Sequence, residues 1–181
     1  MDEVLGRRAS AAAHAKARVS SLQENALRVV KQLPIDSTTS LRRYLTSANM
    51  MLKQGRTYHA EHLSSPQSSA GLAPAFQLLM RFSHFVIERL PEHSAFRSAH
   101  FKSERTALTN ELNAVMPQLQ AIKAKLVEVY TEEEMERLVK VSQVEAAAAG
   151  AAAIAAAAPA RVVAAAPAAA AAPAATPAAK A

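Results

Sequence analysis

The 181-residue chain carries 21 lysines and arginines against 15 aspartates and glutamates, a formal charge of +6, with half of its residues apolar and no cysteine. The lack of cysteine excludes disulfide staples, thiolate metal sites and a cysteine nucleophile, and it fits a reducing, cytoplasmic setting. The positive charge is spread from Arg7 to Arg161 and interleaved with Glu88, Glu92, Glu104, Glu111 and the run Glu132-Glu133-Glu134; with no basic stretch set among aromatics, nucleic acid is not an expected partner.

The start, Met1-Asp2-Glu3-Val4-Leu5-Gly6-Arg7-Arg8, holds no apolar core of signal-peptide length, so secretion is not expected. The long apolar run at 146–158 is mostly alanine. It falls short of the roughly 20 residues that a membrane-spanning helix needs, and no transmembrane segment is expected. A change of composition near Glu145 divides the chain into an N-terminal helix at 1–35, a helical domain at 36–144 and an Ala/Pro-rich tail at 145–181.

The first helix is predicted over residues 4–33, with Val19, Leu22, Ala26, Val29, Val30 and Leu33 on one stripe, and it stops at Pro34. The polar run from Asp36 offers side-chain oxygens for capping, and Ser40 is the expected N-cap of the second helix. That helix should span 41–62, burying Leu41, Tyr44, Leu45, Ala48, Met51, Leu52 and Tyr58, with Gly55 a weak point inside it. The breaker-rich stretch 64–71 then forces a loop, and Pro74 suits the first turn of a third helix.

The third helix, 74–90, gives the strongest amphipathic signal, through Ala75, Leu78, Leu79, Phe82, Phe85, Val86 and Leu90, and Pro91 ends it. A fourth helix is predicted over 98–144. Its apolar residues Leu108, Leu112, Val115, Leu119, Ile122, Leu126 and Val129 keep heptad spacing, which lines either a bundle interior or a seam with a second chain. Pro117 should kink or split it. Alanine propensity can extend the helix to 158, after which the prolines favour an extended tail. Nothing reads as a strand, and the fold class is all-α.

Chemical sites are few. His59 and His62 stand three apart and could begin a metal site, but two ligands without a third and a base do not make a zinc centre, and surface histidines are the expectation. His84, His93 and His100 with Ser83, Ser94 and Glu92 could be drawn as a nucleophile, base and acid, yet no strained nucleophile turn is present. The four glycines permit no phosphate loop. Phe76, Phe82 and Phe85 fit a core better than a stacking platform, and Glu132-Glu133-Glu134 with Glu136 fits a solvated face better than a docking site. The basic residues Arg42, Arg43, Lys53, Arg56, Arg81 and Arg89 remain. They are predicted to rim grooves between the second and third helices, where an acidic amphipathic helix could be held.

The stretches Leu41-Arg42-Arg43-Tyr44-Leu45-Thr46-Ser47-Ala48, Ala75-Phe76-Gln77-Leu78-Leu79-Met80-Arg81-Phe82 and Phe85-Val86-Ile87-Glu88-Arg89-Leu90-Pro91-Glu92-His93 resemble the N-terminal domain of AMSH-type deubiquitinases. That domain is akin to the microtubule-interacting and trafficking (MIT) fold and also serves as a dimerisation domain at the start of a ubiquitin-specific protease. The resemblance covers about 36–136, and carries over to Arg42, Arg43 and Tyr44, then Phe82, Phe85, Glu88, Leu90, Pro91 and His93. It implies an MIT-like bundle without catalytic activity or cofactor. Such a module would bind ESCRT-III tail helices or other endosomal sorting proteins, or form a homodimer that scaffolds a deubiquitinase, in the cytoplasm at the periphery of endosomal membranes. Two departures stand out: a longer loop at 64–73, and no metalloprotease domain within these residues, so the chain is expected to be an adaptor or a fragment of a larger enzyme.

Overall fold

A computed structural model describes residues 2–64 and 71–157, and every described element is helical. Of the loop expected from 64 to between 71 and 73, residues 65–70 lie outside the described residues, as does the extended tail at 158–181, while Ser64 still belongs to the second helix and Leu72 and Ala73 already belong to the third. The helices are α1 (Asp2–Lys31), α2 (Leu41–Ser64), α3 (Leu72–His84) and α4 (Lys102–Ala157), with short helical turns between α3 and α4. Two units divide the chain: Met1–Val141 holds the hydrophobic core, and the described part of Ser142–Ala181 is helical as far as Ala157.

α1 buries Ala11, Ala15, Val19, Ala26 and Val30. The predicted stripe therefore runs further toward the N-terminus than Val19, on alanines whose small side chains let another helix come close. Leu22 is half-buried against the core and Leu33 is exposed. α2 starts directly after Ser40, where the Arg43 N–H donates to the Ser40 carbonyl at 3.0 Å.

Gly55 turns out to be a requirement of the fold. A Cβ there would sit 2.9 Å from the Leu79 side chain and 3.3 Å from the Leu78 Cβ, so the missing side chain is what lets α2 and α3 close on each other. Gly71 serves the same end before α3, since a Cβ would come within 2.7 Å of the Tyr58 carbonyl oxygen.

α3 begins at Leu72, and the helical chain passes the expected end at Leu90 in altered form: a π turn over Phe85–Arg89, then a 3-10 turn over Leu90–Glu92. The Leu90 N–H donates to the Phe85 carbonyl, five residues back. Pro91 gives the reason: its ring crowds the carbonyl four residues before it and it has no N–H to offer, so the last turn widens. Turns at Ser94–Arg97 and Ala99–Phe101 follow, so α4 starts four residues later than predicted.

α4 remains one helix through Pro117. The residue is exposed, as is Asn113, whose carbonyl loses its donor and can be hydrated, while buried Val115 and Leu119 on either side hold the helix in place. The heptad positions Leu108, Val115, Leu119, Ile122 and Leu126 are buried, with Leu112 and Val129 half-buried. They line the interior of this chain's own bundle together with Phe76, Phe82 and Phe85, which are core residues as expected.

Candidate functional site

The six basic residues predicted to rim the grooves between α2 and α3 are placed apart. Arg42 and Arg43 are exposed on the first turn of α2. Lys53 and Arg56 share a shallow α2 face with Leu52 and Thr57, and Arg56 donates to Glu111 of α4 at 2.5 Å. Arg89 is occupied on both branches: Nη1 donates to Glu92 at 2.6 Å and Nη2 to the Leu33 carbonyl at 2.5 Å. Arg81 alone reaches an apolar recess.

That recess lies where the end of α1 and its connector meet α2 and α3. It has a volume of about 340 Å³, and its walls are Val29, Val30, Leu33 and Pro34, then Tyr44, Ser47 and Met51, then Leu78, Arg81 and Phe85. α2 and α3 themselves meet tightly at Gly55, so α1 is what creates the cavity. The Arg81 Nε is buried, and among the described residues it finds no acceptor. With its Nε shut away from solvent against apolar walls and without an acceptor, the half-buried guanidinium is only partly compensated for its desolvation, and an incoming carboxylate would complete it.

Residues of the family-like stretches build the wall of this recess. Tyr44 Oη accepts from the Asp36 N–H at 2.9 Å, and its ring meets Phe85 at 6.4 Å and the edge of His93 at 5.7 Å. His93 is buried; its Nε2–H donates to the Thr39 carbonyl at 2.9 Å while its Nδ1 accepts from the Ala95 N–H at 3.1 Å. Only the Nε2–H tautomer of the neutral ring satisfies both bonds. Asp36 closes the connector on itself by accepting from Thr38, which holds its carboxyl below the usual carboxylate range. Tyr44, Phe85, Arg89 and His93 thus clasp the α1–α2 connector onto the end of α3.

The remaining titratable groups are not gathered into a reaction centre. His62 is buried beside Gly71, and His59 is pushed to a lower pKa first by burial and then by the charge of His62. Among the described residues no three His, Cys, Asp or Glu stand close enough to share a metal ion. Ser83 Oγ donates to the Leu79 carbonyl at 2.9 Å, His84 pairs with Glu88 at 2.9 Å, and His100 meets Phe101 edge to face at 4.8 Å, so the drawn triad is not assembled.

The acidic run is the expected solvated face at Glu132, Glu133 and Glu136, and departs from it in its pairing with α1 and at half-buried Glu134. Glu133 pairs with Arg18 of α1 at 2.8 Å, and Glu134 bonds Arg137 and approaches His14 at 3.6 Å, while Glu132 and Glu136 stay exposed. Arg18 also lies 3.8 Å above the Tyr130 ring. The α1 partners of this run are more than a hundred residues away, and no local spacing rule points to them.

A model of one family, described as the USP8 dimerisation domain, matches residues 10–133, from within α1 into α4. No curated protein matches the chain. No described helix is long and apolar enough to cross a membrane.

Proposed function

We infer that this chain, which belongs to the USP8 dimerisation domain family, works by self-association, as a scaffold that brings two copies of a ubiquitin-processing assembly together. The observation that carries the reading is the extent of the match: it takes in most of α1, all of α2 and α3, and the core-lining part of α4. The matched family is described as a dimerisation domain and not as a catalytic one. Sedimentation velocity of the full chain over a range of concentrations tests it. A sedimentation coefficient that rises to that of a dimer is expected, and one that stays monomeric into the high micromolar range refutes the reading.

A second reading is favoured by Arg81. An unpaired guanidinium beside an apolar recess suits an acidic amphipathic helix, such as an ESCRT-III tail or a segment of another endosomal sorting protein, with Arg42, Arg43 and Lys53 adding attraction at longer range. In this reading the module works at the cytoplasmic periphery of endosomal membranes. Titration with such tail peptides decides it: Arg81→Met should weaken binding about tenfold, the worth of one charge-assisted bond. Equal affinity for the variant rules out the recess as the site.

A further inference from the structure

Beside the line where Arg18 and His14 fasten α1 to α4, the two helices leave a trough open. One part of it lies between Arg8 and Ala12 of α1 and Thr131 and Met135 of α4, and the next between Lys16 and Ser20 and the pair Ala124 and Val127. Each recess holds about 630 Å³. On α1 they follow one another at single-turn intervals, Arg8, Ala12, Lys16, Ser20, so the trough runs for about 18 Å along the helix. Its floor is apolar, and at its centre stand small side chains, half-buried Ala12 and exposed Ala124. Small residues there admit the side chains of another helix close to the backbone.

The charges along the two edges are of opposite sign. Arg8 and Lys16 stand on the α1 edge, and Glu128, Glu132 and Glu136, one turn apart from each other, on the α4 edge. Of the cations on this stretch of α4, Lys123 is turned to Gln23 of its own chain at 3.5 Å and Lys125 is paired with Glu128 at 2.9 Å, which leaves Glu132 and Glu136 to carry the charge of that edge. A surface with one basic and one acidic edge is complementary to itself. A two-fold axis parallel to the trough sets α1 of one copy over α4 of the other, bringing each basic edge against an acidic one and closing a four-helix contact.

We propose that this trough between α1 and α4 is the surface on which a second copy of the chain docks, with Arg8 of each protomer meeting the Glu132 and Glu136 edge of the other. The proposal rests on the self-association reading and adds to it where the contact lies and how it is oriented. The orientation follows from charge: the alternative two-fold, across the helices, stacks α1 on α1 and repels.

The test uses the full chain, by sedimentation velocity and dimer dissociation constant. Ala124→Arg, at an exposed helical position, should weaken the dimer by more than about tenfold with circular dichroism unchanged, because it sets a bulky cation against the basic edge of the other copy where the two helices come closest. Arg8→Glu and Glu132→Arg should each weaken it, and the double variant should regain most of the lost affinity, since the swap restores the pairing across the two-fold. A dimer untouched by Ala124→Arg, or a double variant no better than its parents, overturns the proposed surface while leaving self-association standing. A wild-type chain that is monomeric at every concentration overturns both.

Discussion

The Nε2–H of His93 donates to the carbonyl oxygen of Thr39 across 2.9 Å, joining the turn after α3 to the connector that precedes α2. The same ring caps the Ser94–Arg97 turn through its Nδ1. Its loss would leave a half-buried carbonyl without a donor and a turn without its cap. His93→Ala should therefore cost about 1–3 kcal/mol in denaturant-induced unfolding, and an unchanged midpoint would show the clasp to be dispensable.

Gly55 makes a second prediction. Replacement by leucine places a branched side chain where even a Cβ meets Leu79 at 2.9 Å, and both helices are held by further core contacts. Gly55→Leu should destabilise the chain by about 1–3 kcal/mol despite leucine's better helix propensity. Thermal melts of the two proteins compare them directly, and a variant as stable as the parent contradicts the close α2–α3 approach.

Pro117 points the other way. It sits exposed inside α4, where it removes one backbone hydrogen bond and contributes nothing to the core. Pro117→Ala should stabilise the chain by about 2 kcal/mol, the helix gain less the loss of proline's restraint on the unfolded chain. A lower melting temperature for the variant would show that the proline shapes the helix to its neighbours.

The pH dependence follows from His59, whose pKa is lowered first by burial and then by His62. When the folded pKa lies below the unfolded one, the unfolded chain takes up the proton first. The stability is then complete above the unfolded value, about 6.5, and is lost as pH falls from there toward the folded value. Melting temperatures taken from about pH 7.5 to pH 5 should decline, and His59→Gln should flatten that decline. A slope equal to the parent's assigns the effect to other groups.

Arg81 sets stability against binding. Methionine fills similar space without a charge to desolvate, so Arg81→Met should raise unfolding stability by about 1 kcal/mol while removing the recess's attraction for carboxylates. Denaturation curves check the gain. A loss of stability instead would mean that the guanidinium is well solvated where it stands.

The parts of this fold visible in the sequence are those written in periodic apolar residues. The heptads of α4 and the phenylalanines of α3 are buried where their spacing put them, because burial of one face is what the periodicity encodes. Contacts that depend on what is missing were not visible: Gly55 reads as a weakness until Leu79 is seen against it. The six basic residues were legible as cations but not as a set, and Arg56, Arg81 and Arg89 are half-buried. Whether Arg56 meets Glu111 or Arg89 meets the Leu33 carbonyl depends on how distant segments pack, and only Arg81 is left facing the recess. The family-like stretches proved informative about structure, since Tyr44 and His93 hold the connector in place.

Arg18 and Glu133 stand 115 positions apart along the chain, and Lys123 and Gln23 are separated by 100. Contacts of that range close only after a long loop has been gathered, whereas α2 and α3 are neighbours in sequence and can dock early. The seating of α1 against α4 is therefore expected late in folding, so that weakening it should quicken unfolding while leaving the folding rate nearly unchanged.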